Sequence, residues 1–425
     1  MPGLHIDAMT KYVQQLAQAL QARLERRKTG EGARYSKADA TAIPVNAEYE
    51  IIKYRPEHKP LVADLQSGLW STDRSLNRRY LEWKHERNPY SDEPLIYLAF
   101  HQGKPVGMRG FHEARLEAGT PSRIFPVLIG GDAFVAPEHR NRGLVTRIMK
   151  MAYSDLADRA YPYLVSVGGA NRINVLGLLT LGWKSAGMLK TFGRISGRTR
   201  LTRDLSRALA GLPVLWRFSD ADLFYSADQH HPFRHLDEKR VGHGAGEELP
   251  IIVERQPRLE SMVALVEQLG HDGRLRYVRD RQYLAWRFAN PLSEYRFLYW
   301  EGKPHSGYLV LSRRASDIGA WNRVYIADLE ATDMQIRAEL ISAAIRWGQF
   351  PELVTWTSSL SEQEIQILRN RAFVPVDQRD TARGVPCVMV RSIGEQSPGA
   401  DWMLGDRRIL DPANWDTRVL YSMRG

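Results

Sequence analysis

The same short motif occurs twice in the chain, and the landmarks that follow it recur in the same order. Tyr-Leu-Glu-Trp-Lys at residues 80–84 and Tyr-Leu-Ala-Trp-Arg at residues 283–287 each lead into an Asn-Pro pair. The later matches are Gly-Lys-Pro at 103–105 and 302–304, Gly107 with Gly307, and the Asp-centred segments 131–133 and 327–329. Because chance does not supply such a series in one order, the sequence predicts a duplicated domain.

Each copy has the element order of an α+β domain. In the first copy, a short strand near residues 49–52 precedes two helices, three antiparallel strands, and then helix, strand, helix and strand. In the second copy, a helical pattern at 335–347 and a strand pattern at 353–356 follow the Asp-centred segment. The predicted fold class is therefore α+β, with two tandem domains that each have a mixed, mostly antiparallel sheet flanked by helices.

The predicted boundaries divide the chain into segments of different character. Residues 1–47 hold an amphipathic helix and a linker, 48–197 the first domain, 198–249 an Arg- and His-rich connector, 250–395 the second domain, and 396–425 a tail packed on it. The N-terminal helix ends in Arg26-Arg27-Lys28, so a membrane surface, the chain's own domain and a second copy in a homodimer are all open as its partner. His230, His231 and His235 lack helical metal-ligand spacing, which favours a connector over a metal site.

Charge and composition exclude several classes of protein. The 425 residues carry a formal charge of +10, with 43% hydrophobic and 25% charged residues, which is typical of a folded globular protein. The longest uncharged stretch, residues 160–171, is too short to cross a bilayer, so we expect no transmembrane segment. The single Cys387 and an N-terminus without an apolar region predict a cytoplasmic protein. The basic charge comes without a zinc-finger or RNP-like pattern, so nucleic acid is not the expected partner.

A short arginine-rich stretch connects a predicted strand to a predicted helix. The strand ends at Val135, the helix begins near Gly143, and Arg140 and Arg142 lie between them. A helix N-terminus presents unpaired N–H groups and a partial positive charge, and a glycine lets a phosphate approach the backbone. The stretch suits either a phosphate site or an ordinary surface loop, and the residues alone leave both open.

In this context, residues 49–190 resemble the GCN5-related N-acetyltransferase (GNAT) superfamily. Its first signature, Arg/Gln-x-x-Gly-x-Gly/Ala, corresponds to Arg140, Gly143 and Val145, with valine where the family has glycine or alanine. The second signature is matched by Asn171, Asn174 and the Gly-Trp pair at 182–183. Within the superfamily, the chain is most similar to a bacterial subgroup with tandem domains, often associated with surface-polysaccharide genes.

The resemblance implies acetyl-CoA, or another acyl-CoA, as co-substrate, and no metal. The pyrophosphate would lie over residues 140–145, and the pantetheine arm would pair with the end of the preceding strand. Direct attack of an amine on the thioester then needs a base, a strand amide that polarises the carbonyl, and often a tyrosine acid. The residues that the resemblance implies for cofactor binding are Phe134, Val135, Arg140, Asn141, Arg142, Gly143, Leu144, Val145, Asn171 and Asn174.

The catalytic candidates are Asp132 and Ser166. Asp132 is the nearest carboxylate on the central strand and the first candidate base, although the matching Asp328 in the second copy leaves a structural role open. Ser166 lies where some relatives have a glutamate base. Leu178 takes the place of the usual tyrosine and cannot donate a proton, so either another acid serves or the thiolate leaves unprotonated.

The sequence favours an N-acyltransferase that moves an acyl group, in the first instance acetyl, from acyl-CoA to an amine of a small molecule or of a sugar or polysaccharide precursor. In the second copy, residues 331–337 replace the loop, without glycine and with Asp333, which predicts no CoA there and a role in completing the acceptor cleft. Two alternatives stay open. They are aminoacyl transfer from a charged tRNA by a related duplicated fold, which the basic charge suits, and a non-enzymatic ligand-binding module, which Leu178 suits.

Overall fold

The computed structural model describes residues 48–168, 172–196, 240–242, 248–302, 306–314, 323–348, 350–376, 387–393 and 402–422. The predicted N-terminal helix, most of the Arg- and His-rich connector with its three histidines, and Asn171 lie outside these residues. None of the helices in the described part is long and apolar enough to cross a lipid bilayer.

One eight-stranded sheet is built mainly from the first half of the chain. In spatial order its strands are β1 (Glu50–Lys53), β2 (Leu95–His101), β3 (Lys104–Ala118), β4 (Arg123–Val135), β5 (Tyr163–Val167), β16 (Cys387–Ser392) and β6 (Lys184–Met188), and β10 (Arg276–Tyr277) pairs with β3. The β4–β5 pair is parallel, and the other pairs of this sheet are antiparallel.

A second eight-stranded sheet repeats this plan in the second half. In spatial order its strands are β15 (Val374–Pro375), β7 (Thr191–Ile195), β14 (Glu352–Trp356), β13 (Arg323–Ala331), β12 (Gly307–Arg314), β11 (Ser293–Trp300), β9 (Glu248–Glu254) and β8 (Arg240–Gly242). Here β13 and β14 are the parallel pair. A small hairpin, β17 (Met403–Leu404) with β18 (Arg407–Arg408), lies in the tail. The predicted α+β class with two mixed, mostly antiparallel sheets is confirmed.

The two halves exchange a strand with each other. Strand β7 comes from the first half but pairs with β14 in the second sheet, and β16 comes from the second half but lies between β5 and β6. The predicted boundaries at residues 197 and 395 follow chain order, whereas sheet membership does not. Alternating apolar and polar residues indicate which face of a strand is buried, but they do not indicate with which sheet the strand pairs.

The described residues contain eight α-helices that flank the sheets. Asp73 caps the second of them by accepting hydrogen bonds from the amides of Ser75 and Leu76. The helices are α1 (Lys59–Leu65), α2 (Arg74–Leu81), α3 (Leu144–Leu156), α4 (Arg172–Thr180), α5 (Leu259–Leu269), α6 (Arg281–Phe288), α7 (Met334–Gly348) and α8 (Glu362–Arg369). Ile148, Ala152 and Leu156 of α3 are buried together against the first sheet, as their spacing predicts.

The repeated motif lies at the contact between the two halves. The indole rings of Trp83 and Trp286 stack with centroids 4.7 Å apart at 9°. Each indole donates to the other residue's backbone carbonyl, Trp83 Nε1 to Trp286 O at 2.6 Å and Trp286 Nε1 to Trp83 O at 2.8 Å. Equivalent residues of the two copies therefore meet in a reciprocal, two-fold-like contact.

The C-terminal segment, residues 402–422, contacts both sheets. The ring of Trp402 stacks near Tyr163 of β5 at 5.9 Å, which places one end of the segment on the first sheet. Arg418 forms an ion pair with Asp328 of β13 at 2.6 Å, which places the other end on the second sheet. The segment therefore contacts both halves, and its assignment as a tail of the second domain stays a prediction.

Candidate active site

The two parallel strands of the first sheet separate soon after they meet. Strands β4 and β5 pair at Leu128 with Leu164 and at Ile129 with Val165, and the described residues contain no further pair between them. Strand β4 nevertheless continues to Val135. Ala133 is exposed although it lies on a central strand. A wedge-shaped cleft therefore opens between the carboxyl ends of these strands, with backbone groups of β4 along one edge.

A β-bulge lies on β4 inside this cleft. The register between β3 and β4 shifts between Met108 and Gly110, where Asp132 has a φ of 48°. Aspartate is one of the few residue types that enter this left-handed region readily. The bulge re-aims the local side chains, so that Asp132 is buried while the next residue, Ala133, is exposed.

The arginine-rich stretch forms a loop that leads into α3. A short 3₁₀ turn, Pro137–His139, precedes Asn141 with a φ of 63° and Gly143 with a φ of 70°. Gly143 is the N-cap of α3 and provides no capping side chain, and nothing lies within 4 Å of where its Cβ would be. The glycine is therefore required by backbone conformation, and the first-turn amides of α3 have open space in front of them.

The predicted cofactor residues lie on this edge of the first sheet. Arg140 donates from Nε to the carbonyl of Val135 at 3.1 Å, which ties the loop back to the strand. Asn141 and Arg142 are exposed, Leu144 is buried under α3, and Val145 is 49% exposed on its first turn. Asn174 is exposed on α4, and Phe134 is half-buried beside the cleft. Their roles in binding stay a prediction.

Tyr49 and His101, whose contacts the sequence does not predict, both contact His139 of the loop. Tyr49 Oη lies 2.9 Å from His139 Nδ1, and the rings of His101 and His139 have centroids 4.9 Å apart. Arg147 of α3 donates to the carbonyl of Tyr49 at 2.7 Å. The loop is thus fixed to the start of β1 and the end of β2.

Asp132 lies in a buried polar cluster. Its carboxylate accepts a hydrogen bond from Trp70 Nε1 at 3.0 Å and lies 2.9 Å from Lys84 Nζ and 2.7 Å from His85 Nε2. The side chains of Asp132, Lys84 and His85 are fully buried. Lys84 and His85 are adjacent in sequence and reach the same carboxylate because residues Glu82–Glu86 form a π-helical turn, a distortion often found at functional sites.

The charges of this cluster follow from its burial and pairing. Burial alone would raise the pKa of Asp132, but Lys84 and His85 hold it well below its ordinary value. Burial lowers the pKa of His85 and of Lys84, and Asp132 opposes both shifts. At neutral pH Asp132 is therefore ionised and His85 neutral. The nitrogen Nδ1 of His85 is buried and has no hydrogen-bond partner among the residues that the structure describes.

The second half has an equivalent carboxylate cluster without an equivalent loop. Asp328 is buried and accepts from Arg418 at 2.6 Å, from Tyr308 Oη at 2.8 Å and from Arg279 at 3.3 Å. At the start of α7, the side chain of Asp333 accepts from the amide of Ile336, so a carboxylate occupies the position where an anion would bind. Each cluster therefore holds a carboxylate on a central strand of its sheet. The two halves differ at the helix that follows, because α3 has an open N-terminus whereas Asp333 caps α7.

Residues 50–177 match the family model described as an acetyltransferase (GNAT) domain. This segment contains β4, the cleft, the loop and α3. Residues 50–177 form a GNAT acetyltransferase domain. The resemblance that the sequence predicts is therefore confirmed, and the chemistry of the family is acyl transfer.

The solved structures to which the chain is similar share little sequence with it. A GCN5-related N-acetyltransferase from Anabaena variabilis is 12% identical over 81% of this chain and 73% of its own, with a TM-score of 0.49. A probable N-acyltransferase of unknown function from Enterococcus faecalis has the same identity and coverage and a TM-score of 0.48. A tandem GNAT protein from the clavulanic acid biosynthesis pathway is 10% identical over 82% of this chain and 100% of its own, with a TM-score of 0.47. No curated protein sequence matches the chain.

Proposed function

We propose that the protein is an acyl-CoA-dependent N-acyltransferase whose reaction takes place in the cleft of the first half. One observation carries the proposal: the open wedge between β4 and β5 leads directly to the uncapped, glycine-led N-terminus of α3. The first provides an unpaired strand edge for an extended pantetheine chain, and the second provides amides and arginines for a pyrophosphate. The acceptor we propose is an amine of a small molecule or of a sugar or polysaccharide precursor.

Bound acyl-CoA would supply an activated thioester, and the chain's own residues would orient it. Arg140 and Arg142 beside the loop would pair with phosphate oxygens, and the backbone at Phe134 and Val135 would hold the pantetheine arm. The amide of Ala133, on the exposed side of the bulge, is suited to polarise the thioester carbonyl. Asn174, and Asn171 by its position in the sequence, would face the cofactor.

Proton transfer is proposed to involve Asp132 and Ser166. Ser166 is the first residue of β5 beyond the last pair with β4, and it is half-buried at the deep end of the cleft. Asp132 lies on the opposite strand, ionised and held by three donors. An ionised carboxylate accepts a proton from an amine either directly or by fixing the geometry of groups around it. Leu178 packs at the edge of the core around α3, so the leaving thiolate has no acid at that position.

We expect one CoA molecule to bind per chain. In the second half, Asp333 caps α7, and Arg418 of the tail bonds to Asp328 and to the carbonyl of Leu329. Isothermal calorimetry with acetyl-CoA should give a stoichiometry near one. A stoichiometry near two would contradict the assignment of a single cleft, and binding of charged tRNA in place of acetyl-CoA would favour the aminoacyl-transfer alternative.

Variants of Arg140 and Gly143 should distinguish the effect of a loop charge on CoA affinity from the effect of backbone conformation. Arg140→Ala removes a charge-assisted hydrogen bond, worth about 1.5–3 kcal/mol, so we expect CoA affinity to fall about 10- to 150-fold, and less so at high salt. Gly143→Val should weaken binding at every salt concentration, because valine is strained at a φ of 70° and projects toward the bound anion. Glu138→Ala, on the same loop, is the matched control. CoA titration at low and high salt, with circular dichroism as the folding check, makes the measurement, and wild-type affinity in both folded variants would remove the loop as the pyrophosphate site.

A further inference from the structure

Arg109 is a buried cation at the deep end of the cleft. It lies on β3 opposite the bulge of β4 and is 8% exposed. Its guanidinium carbon lies 5.2 Å from the ring centroid of Phe111, and its Nη2 occupies the space that a side chain on Gly130 would fill. Gly130 is the first residue of β4 beyond the last pair with β5. The guanidinium therefore lies at the point where β4 and β5 separate, which is the fork of the wedge-shaped cleft.

The guanidinium lacks the partners that a buried cation requires. Among the described residues, Nε and Nη2 of Arg109 are both buried without a hydrogen-bond partner. Asp132, the carboxylate whose charge acts on Arg109, is already held by Trp70, Lys84 and His85. Burial lowers the pKa of Arg109, and Tyr153 and Asp132 oppose that shift. A buried donor left unpaired costs about 1–3 kcal/mol, and more when it is charged, so this position favours an anionic ligand.

The position of Arg109 indicates what that partner is attached to. Ala133, the residue proposed to polarise the thioester, lies three residues beyond Gly130 on the same strand. At about 3.3 Å per residue this separates the thioester from the fork by about 10 Å. The two-carbon acetyl group is too short to approach the guanidinium, and an apolar chain would leave the cation unpaired. Because the guanidinium already lies at the fork, the acyl chain itself has to span this gap. A chain with three or four methylenes and a terminal carboxylate is long enough to do so with a hydrogen bond at its end.

We propose that Arg109 binds the terminal carboxylate of a dicarboxylic acyl group, so that the acyl donor is a glutaryl- or adipyl-type CoA thioester. This rests on the proposed function of the cleft. In the reaction the acceptor amine attacks the thioester carbonyl, a C–N bond forms and the C–S bond breaks. The amine loses a proton, the thiolate of CoA leaves, and the distal carboxylate is unchanged. Arg109 is thus a residue that determines which acyl group is transferred.

Calorimetric titration with CoA, acetyl-CoA, glutaryl-CoA and adipyl-CoA tests the proposal. For wild type we expect glutaryl- or adipyl-CoA to bind about 10- to 150-fold more tightly than acetyl-CoA, the range for a charge-assisted hydrogen bond. Arg109→Met should keep wild-type affinity for acetyl-CoA and lose the preference, and Arg109→Lys should retain part of it. Arg115→Met, an exposed arginine on the same strand that stacks on Tyr90, is the control and should keep the preference.

A stability measurement separates this role from a structural one. Because the guanidinium is unpaired without ligand, Arg109→Met should melt at the same temperature as wild type or higher. Equal wild-type affinities for acetyl-, glutaryl- and adipyl-CoA would overturn the proposal, whether or not Arg109→Met folds. Failure of all four compounds to bind would instead overturn the proposed function itself.

Discussion

Asp132→Asn is expected to lower turnover by about 10²–10⁴-fold while CoA affinity stays close to that of wild type. The carboxylate lies on the bulge beside Ala133, whereas the pyrophosphate is assigned to residues 140–145 at the other end of the cleft. The amide of asparagine cannot accept a proton, and it also weakens the contacts that fix the bulge. Steady-state kinetics with the true acceptor and CoA titration of the same preparation make the comparison.

Asp328→Asn is the matched control for this variant. Asp328 has the equivalent position on β13 and is equally buried, but it pairs with Arg279 and Arg418 in the half without a phosphate loop. We expect it to lower stability and to leave turnover per folded molecule within about twofold. Wild-type turnover in Asp132→Asn would rule out Asp132 as the catalytic base and leave Ser166 as the remaining candidate.

The pH profile distinguishes a direct base from a positioning carboxylate. Because Lys84 and His85 depress the pKa of Asp132, its ionised form is present well below the ordinary range of an aspartate. If Asp132 takes the proton itself, the acid limb of the wild-type kcat/KM profile lies below about pH 4. If it only positions other groups, the limb reports a different group and stays in place in Asp132→Asn.

Trp83→Ala is expected to lower the free energy of unfolding by about 3–5 kcal/mol. The indole is 5% exposed, stacks on Trp286 and donates to its carbonyl, so truncation leaves a cavity and removes one of the two hydrogen bonds to that oxygen, the other being from the amide of Ala289. Trp286→Ala should cost a similar amount for the same reasons. Since the two rings share one contact, the double variant should lose less than the sum of the single variants.

Chemical denaturation of the full-length wild type, the two single variants and the double variant measures the four free energies of unfolding. Trp347→Ala is the control, because Trp347 is only partly buried and packs on the separate core of the second half. Trp347→Ala should lower the free energy of unfolding clearly less than Trp83→Ala or Trp286→Ala does. Strict additivity of Trp83→Ala and Trp286→Ala would contradict a shared interface.

The sequence predicts the parts of this fold that depend on local spacing or on repetition. The repeat identified Trp83 and Trp286, and the apolar spacing of α3 identified the residues it buries. The glycine at 143 was also identified, although for close approach of a phosphate, whereas the structure adds a positive φ. Each of these features is encoded within a few neighbouring residues.

The features that the sequence did not predict depend on contacts between distant segments. Lys84 and His85 converge on Asp132 through a π-helical turn, and ordinary helical spacing would point them in different directions. The burial of Arg109 depends on β4, which lies beside its strand but follows it in the chain after a turn. Leu178 and Asn174 have the predicted spacing, but spacing alone does not assign a role, so those assignments remain predictions.

The strand exchange has a consequence for how the protein is made and for how it arose. While the chain emerges from a ribosome, the first sheet stays incomplete until residues 387–392 have been synthesised, so the edge of β5 is exposed through most of translation. Either half expressed alone would present an unpaired edge that a second copy of itself could fill. Two identical half-length chains that traded their final strands would give the same pairings, β7 with β14 and β5 with β16. The present chain has the topology of a swapped dimer whose two subunits are joined end to end, and the covalent connection makes this pairing independent of protein concentration.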